Sequence, residues 1–498
     1  MHIKLINPRM NLHAGNTRLK FKLLPPQSLL LLAALTPPEH TCELVDENIK
    51  DSSYDDRPDL VAISVYVTTV NRACVIARHY RTRGVPVVMG GLHPTCYPDA
   101  VREYADSLVI GEADLIWPQL LRDLEQRELQ SIYCNRDVVS LEQTPILRRS
   151  LCDARYYASV NAMRATRGCP YQCKYCYQST FYARPGVRPR TIPHIIKEIE
   201  SMQTRHVFFL DDNLIGDKQF ARRLFTSLAP LEITWSGAAT VNIGDDADLL
   251  QLAYESGCRT LFIGFESILP ANLKANKKSQ NEVTLYKQLV HNIHRQGIVI
   301  NGSFIFGMDH DTIEVFEDTV EWVVKNKIGT ATFHILTPYP GTPLFNELEQ
   351  ARRIIDYNWD HYDTAHAVFQ PKHMSPQELE AGYWWACKSV YTWKNILRRM
   401  PDVPSLHGPF WGLNLAGKKF ARLSDWLGQL GTTNFLFDVS THLLQPNRKP
   451  KKAADVQDVC PVDKIAGTLN VKSLHKEQEK VTQRFAEQAQ RNVEKIKY

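Results

Sequence analysis

The chain has 498 residues, more than one hydrophobic core usually fills, so two or three domains are expected. Its 44% hydrophobic content suffices for substantial cores, and a formal charge of +5 with acidic and basic residues interspersed gives no support to a dedicated nucleic-acid binder. Eleven cysteines, an odd number and mostly scattered, favour reduced thiols plus one special cluster over a disulfide framework.

Residues 1–125 alternate strand and helix patterns. Strand candidates are "IKLIN", "TCELVDEN", "DLVAISVYV", "VPVVMGG" and "DSLVIGE"; "PQSLLLLAAL", "VNRACVIARHYRTRG" and "PDAVREYA" read as helices. The apolar run Leu29 to Leu35 is far short of the ~20 residues a bilayer span needs, and it lacks the flanks of a signal peptide. A cytoplasmic protein is therefore expected. Short, continuously apolar strands between helices predict an α/β domain with a doubly wound, Rossmann-like parallel sheet and a ligand crevice beyond the strand ends. Gly90 and Gly91 after the fourth strand, and Gly111 with Glu112 after the fifth, would let a bulky ligand approach the backbone. No G-x-G-x-x-G follows the first strand, which counts against a dinucleotide.

A turn-prone linker is expected over 126–157, and a second alternating series follows over 158–345. Its strand candidates are "VNAMRATRG", "HVFFLDDN", "ITWSGAAT", "RTLFIGFES", "VINGSFIFG" and "TATFHILTPYPG". Helical segments near 190–203, 217–228, 246–256, 281–296 and 312–326 separate them. Six β/α units in about 180 residues fit a (β/α)6 partial TIM barrel, whose reactive face is the carboxyl end of the strands. Polar residues gather there: the cysteines, Asp211, Asp212, Glu266, Asp309 and Thr337. Residues 346–445 read as a mainly helical, aromatic extension and 446–498 as a polar tail.

"RGCPYQCKYCY" places Cys169, Cys173 and Cys176 just after the first of these strands. A structural zinc site would need a fourth ligand, which only a distant His or Cys could supply. A [4Fe–4S] cluster held by three thiolates keeps one iron open. "CPYQCKYC", with Tyr175 as the aromatic, resembles the Cys-x3-Cys-x-aromatic-Cys signature of the radical S-adenosylmethionine (SAM) enzymes. The resemblance implies that Cys169, Cys173 and Cys176 hold a [4Fe–4S] cluster whose fourth iron is chelated by SAM, and that reduction yields a 5′-deoxyadenosyl radical. It further implies an external electron donor of flavodoxin or ferredoxin type. "FFLDDN" (Asp211, Asp212), "FIGFES" (Glu266, Ser267) and "GSFIFGMD" (Ser303) resemble the family's SAM-binding strand ends, although each alone reads equally as a turn or cap.

"LPPQSLLLLAALTPP", "DLVAISVYVTT", "VVMGGLHPT" and "VIGEAD" resemble the cobalamin-binding domain that precedes many of these barrels, which implies cobalamin at Gly90, Gly91, Gly111 and Glu112. The chain lacks Asp-x-His-x-x-Gly, so the lower cobalt ligand is open; His93 is the nearest candidate, against an ordinary loop histidine bonded to backbone. "ILTPYPGTPLF" and "DYNWDHYDTAHAVFQPKHMSPQELEAGY" resemble the extension of a subgroup that includes hopanoid C-methylases and pigment-modifying enzymes. That implies a C-methyltransferase acting on a large, apolar small molecule, with a radical cyclase or rearrangement enzyme, or a non-catalytic cluster or cobalamin carrier, as the alternatives. "HGPFWGLNLAGKKFARLSDWLG" reads as packing helix, with peripheral membrane contact as the alternative. Of the other thiols, Cys42, Cys74, Cys258 and Cys387 read as small buried hydrophobes, while Cys96, Cys134, Cys152 and Cys460 have no obvious partner.

Overall fold

Strands that are apolar on both faces need cover on both faces, and the first part of the chain supplies it. The computed structural model describes residues 1–10, 22, 24–50, 52–135, 138–182 and 186–427. It opens with β1 (His2–Asn7), α1 (Gln27–Leu35), β2 (Thr41–Asp46), β3 (Leu60–Ser64), α2 (Val70–Arg81), β4 (Val87–Gly90), α3 (Leu92–Cys96), β5 (Ser107–Ile110), α4 (Ile116–Glu125) and β6 (Ile132–Cys134). The six strands form one parallel sheet in the order β2-β1-β3-β4-β5-β6. Leu60 and Ala62 of β3 point to one side, packing with Leu29, Trp117 and Leu120 of α1 and α4. Val61 and Ile63 point to the other, against Val70, Ala73 and Ile76 of α2. The period-2 alternation thus fills two separate layers.

The expected domain boundary at 125 needs correction, because β6 adds a sixth strand to this sheet from within the expected linker. "PDAVREYA" is likewise two three-residue 3-10 turns, Pro98–Ala100 and Arg102–Tyr104, rather than one α-helix, with Val101 at φ −121° interrupting them.

The second unit begins with β7 (Ala162–Met163) and β8 (Thr166–Arg167), so "VNAMRATRG" is two short strands rather than one. Then come α5 (Gln178–Phe181), β9 (Arg188–Pro189), α6 (Ile192–Met202), β10 (His206–Phe209), α7 (Lys218–Leu228), β11 (Thr234–Ala239) and α8 (Ala247–Glu255). They are followed by β12 (Cys258–Glu266), α9 (Pro270–Ala275), α10 (Tyr286–Arg295), β13 (Val299–Phe306), α11 (Val315–Lys325), β14 (Thr330–Ile335) and α12 (Pro343–Gln350). Strands β7, β10, β11, β12, β13 and β14 pair in parallel and in sequence, and β7 and β14 remain edges, so the barrel is open. β8 instead forms a two-stranded antiparallel ribbon with β9. Helix starts are set locally: Asp217, Asp246 and Thr342 each accept a hydrogen bond from a first-turn amide of α7, α8 and α12.

The extension forms α13 (Pro376–Val390), α14 (Trp393–Arg398) and α15 (His407–Leu427), with a Ser375–Glu378 capping box opening α13. Buried Leu413 of α15 packs with Val299 and Leu406, as expected of a packing helix. No helix among the described residues is long and apolar enough to cross a membrane. The expected polar tail, the end of the extension past 427, and Cys460 lie outside the described residues.

Candidate active site

The cysteine loop leaves the β8 ribbon and is tied down by the two aspartates that end β10. Asp211 is buried and accepts from the amides of Ala165 and Thr166 at 3.1 and 2.5 Å and from the Thr166 hydroxyl at 2.6 Å. Its carboxylate is thereby spent on the polypeptide, which corrects the expectation that it meets a cofactor. Burial pushes its pKa up to about 6 against the pull of those donors. Asp212 accepts from the Gly168 amide at 3.2 Å and from the Gln178 side chain at the start of α5. The two carboxylates therefore bracket the loop, one upstream of Cys169 and one on both sides of the cysteines. Asn213 follows them, 2% exposed, with neither end of its amide hydrogen-bonded. An unpaired buried polar group costs about 1–3 kcal/mol, a cost that a polar ligand would remove.

Burial pushes the thiol of Cys169 up, and that of Cys176 up to about 12, so without metal these thiols are protonated. Among the described residues the one set of three His, Cys, Asp or Glu ligand atoms mutually within 4.8 Å is His2, Glu43 and Asp56. The three loop thiols are not all mutually within that distance. The Tyr175 hydroxyl lies against Cys173, and the Gln280 amide nitrogen approaches the same sulfur at 3.9 Å.

Glu266 ends β12 at φ +65°, where the register with β13 shifts. Its carboxylate pairs with the buried Lys278 ammonium at 2.8 Å. Lys278 loses hydration by burial, yet its pKa rises because Glu266, then Cys173 and Cys176, surround it with acidic groups. Sequence reasoning missed this lysine. Ser267 accepts from the Leu269 amide and the Asn272 side chain at 3.1 and 3.2 Å. Asn272 in turn donates to Asp311 at 2.6 Å, and Asp311 accepts from the amides of Gly307 and Met308. Ser267 thus belongs to a buried network joining the loops after β12 and β13, rather than facing a ligand. Ser303, one strand over, lines a cavity.

Two cavities lie at the strand ends. The first, about 390 Å³, is lined on one side by Ser64, Gly90, Gly91, Gly111 and Glu112, and deeper in by Leu29, Leu32 and Trp117. The second, about 600 Å³, lies over the barrel and is lined by Phe262, Ser303, Ile305, His334 and Thr337, with Asn7, Lys22 and Asn48 at its N-terminal side. The bare backbone at Gly91 has a cause beyond any ligand. Its φ is +107°, and a Cβ would come within 3.1 Å of the Val65 amide nitrogen and carbonyl oxygen. Glu112 also binds Arg167 at 2.7 Å and Arg188 at 2.8 Å, and Arg167 reaches Asp114 at 2.7 Å. These pairs, which sequence reasoning did not find, fasten the N-terminal sheet to the β8–β9 ribbon beside the cysteines.

His93 lines neither cavity. It is 3% exposed, its ring packed edge-on against Tyr97 and Trp359 at 6.0 and 5.5 Å, and its Nε2 has no hydrogen-bond partner. Burial pushes its pKa down to about 3. The residue does bond to backbone, through its amide to the Val65 carbonyl at 3.1 Å, while its ring is spent on aromatic packing. Cys74 and Cys258 are fully buried, while Cys42 and Cys387 are partly buried against the cores.

Residues 163–323 match the Radical SAM superfamily, and residues 31–121 match the B12 binding domain. The chain is 30% identical over 409 residues to bacteriochlorophyllide d C-12(1)-methyltransferase of Chlorobaculum tepidum, spanning 80% of this chain and 89% of that one. It is 29% identical over 348 residues to hopanoid C-2 methylase of Rhodopseudomonas palustris, spanning 67% and 66%. The radical SAM methyltransferase TsrM of Kitasatospora setae, solved with cobalamin and a [4Fe–4S] cluster bound, has the same fold with a TM-score of 0.56 at 18% identity over 70% of this chain and 75% of that one. The protein is an enzyme, and its cofactors are a [4Fe–4S] cluster, SAM and cobalamin. The chain belongs to the radical SAM superfamily, among those enzymes that carry a B12-binding domain ahead of the barrel.

Proposed function

We propose that this enzyme is a cobalamin-dependent C-methyltransferase that acts on an unactivated carbon of a large, ring-bearing small molecule such as a chlorin pigment or polycyclic lipid. The observation that carries this reading is the meeting of two cavities at the strand ends of both sheets: Tyr66, Leu92 and Tyr177 line both. Each α/β unit presents its reactive edge to the same shared space. When bound, the cluster supplies the electron that cleaves SAM, and cobalamin supplies the methyl group.

The chain's residues divide the remaining work. Cys169, Cys173 and Cys176 would hold the cluster, the site at which SAM is cleaved. Asp212 keeps the loop closed around them, and the Lys278 ammonium offsets the thiolates' negative charge. Ser303, which lines the cavity over the barrel, offers a polar contact to SAM. Gly90, Gly91, Gly111 and Glu112, with apolar Leu29, Leu32 and Trp117 in the same cavity, would hold cobalamin. Phe262, Ile305, Ile335 and Leu336 give the substrate an apolar wall, while Lys22, Asn7 and Asn48 suit a polar edge on it. The wall's chemistry fits a tetrapyrrole carboxylate or a hydroxylated lipid. A flavodoxin- or ferredoxin-type protein supplies the electron.

The test uses protein reconstituted anaerobically with iron, sulfide and cobalamin, reduced with titanium(III) citrate, and given SAM with bacteriochlorophyllide d or a hopanoid. Methylated product with both 5′-deoxyadenosine and S-adenosylhomocysteine is expected. Formation of 5′-deoxyadenosine alone would assign a radical rearrangement, and formation of neither would assign a carrier.

A further inference from the structure

His334 is the one residue of β14 that is not buried, and it lines the cavity over the barrel. In register it stands opposite Ile305 of β13, which lines the same cavity with Ser303 and Phe262. Two residues earlier on the same face, Thr332 is satisfied inside the barrel, donating to Asn301 at 3.1 Å. His334 Nδ1 lies 3.3 Å from the Thr364 hydroxyl, whereas its Nε2 has no hydrogen-bond partner among the described residues. Burial pushes its pKa down to about 4, so the ring is neutral at pH 7 and one nitrogen keeps a lone pair.

Thr364 reaches the ring from a costly conformation. Its φ is +66°, where a β-branched residue is strained by about 1–3 kcal/mol. Its carbonyl accepts from the Ile335 amide at 2.7 Å, which clamps this turn against the end of β14. With the Nδ1 proton donated to the hydroxyl, the lone pair sits on Nε2, the arrangement of an imidazole made ready for a metal.

The rest of the cavity narrows the ligand further. Phe262, Ile305 and Leu336 make its wall apolar. The acid that lines it, Asp363, is taken up by the His366 ring at 3.0 Å and by the amides of Ala365 and His366. On the N-terminal side the Lys22 ammonium pairs with no acid among the described residues. The Lys22 backbone is anchored, its amide donating to Tyr156 and its carbonyl accepting from Ala158. A lipid with one hydroxyl would engage the imidazole or the ammonium and leave the other unpaired, at about 1–3 kcal/mol. A metal-bearing ring with a side-chain carboxylate satisfies both.

Resting on the C-methyltransferase reading, we propose that the substrate is a metallated chlorin carrying a carboxylate, and that His334 Nε2 is the axial ligand of its central metal. The Nε2 lone pair replaces a water on that metal, with no electron transferred and no proton released. Thr364 is the positioning residue that fixes the tautomer and the ring plane, and Lys22 takes the carboxylate.

The test titrates the holoenzyme, without reductant, with zinc bacteriochlorophyllide d and with the metal-free bacteriopheophorbide d, followed by chlorin fluorescence; zinc accepts imidazole readily. Wild type should bind the zinc form about tenfold or more tighter than the metal-free form. His334→Ala should bring the two affinities within about twofold, with metal-free binding unchanged, and Thr364→Val should narrow the ratio by about threefold or more. Lys22→Ala should weaken both forms alike. Equal binding of the two forms by wild type overturns the proposal. So does a ratio that survives in His334→Ala, or one lost there only because metal-free binding collapses as well. A ratio unmoved in Thr364→Val overturns the positioning role. Methylation of a hopanoid, with no preference for the metallated chlorin, removes this proposal and leaves the methyltransferase reading. A zinc chlorin held through His334 but never methylated in the reduced enzyme with SAM does the reverse.

Discussion

Asp211 and Asp212 are adjacent in sequence, yet their carboxylates serve different stretches of chain. Asp211 satisfies two buried amides and a hydroxyl just upstream of the cysteines. Asp211→Ala should therefore cost about 3 kcal/mol or more, as buried donors lose their acceptor, and should lower iron incorporation because Thr166 lies next to the loop. Denaturant midpoints and iron content per chain check both. Lys278→Met would strand the Glu266 carboxylate, a loss of about 3–5 kcal/mol for a broken buried pair. It would also remove a positive charge beside Cys173 and Cys176, so the reconstituted cluster should become harder to reduce, with a more negative midpoint in a potentiometric titration. Glu266 was legible at its strand end, whereas Lys278 sits 12 positions later in a turn that no periodicity links to it.

Among elements, the barrel strands were the most legible because each is a short apolar run between caps and glycines, while β6, with three residues in polar surroundings, is recognisable only by its pairing with β5. The helical extension depends on one side chain. Arg399 is fully buried, donating to the carbonyls of Ile328, Gly329 and Val390 and to the Asn414 side chain at 2.7–3.0 Å. Arg399→Met leaves those acceptors dry, and a loss of about 3 kcal/mol or more is expected, with α14 and α15 becoming the first sites of proteolysis. Gly341, in the loop between β14 and α12, has φ +83°, and a Cβ there would lie 2.5 Å from the Cys96 carbonyl oxygen at the end of α3. Gly341→Ala should cost about 1–3 kcal/mol through backbone strain. It should also loosen the contact between the two units, seen as a lower melting temperature and faster loss of cobalamin on gel filtration.

Across the whole molecule, burial makes stability depend on pH. Burial pushes His206, His294 and His334 down to about 4 and His93 to about 3, against about 6.5 in an unfolded chain. The unfolded state therefore binds more protons between those values. The contribution of the neutral imidazoles is complete above about 6.5 and is lost on acidification, by about 1.4 kcal/mol per pH unit for each group. Asp211 and Asp311, pushed up to about 6 by burial, act oppositely: their folded forms hold protons more tightly, so their contribution declines as pH rises from about 4 to 6. Asp212 and Glu349 are raised as well, but the four imidazoles together with Glu47, Asp246, Asp309 and Asp356, which hydrogen-bonded and charged partners hold below the usual carboxyl range, outweigh them. The urea midpoint of the cofactor-free chain should fall between pH 6.5 and 4, and His206→Gln should flatten that fall by about one proton. A midpoint that rose on acidification would contradict the burial of these rings.

By itself the sequence determined most of the strands and helices and where the cysteine trio and acidic strand ends fall along the chain, because apolar periodicity, caps and ligand spacing are local properties. Only the tertiary structure decided what each polar group does. It turned Asp211 inward to satisfy buried donors and swung His93 into an aromatic contact with the distant Trp359. It paired Arg167 and Arg188 with Glu112 across the two units, and it brought Tyr66 and Tyr177 to one boundary. These outcomes depend on which groups burial leaves unsatisfied, and that is settled by neighbours tens to hundreds of residues away.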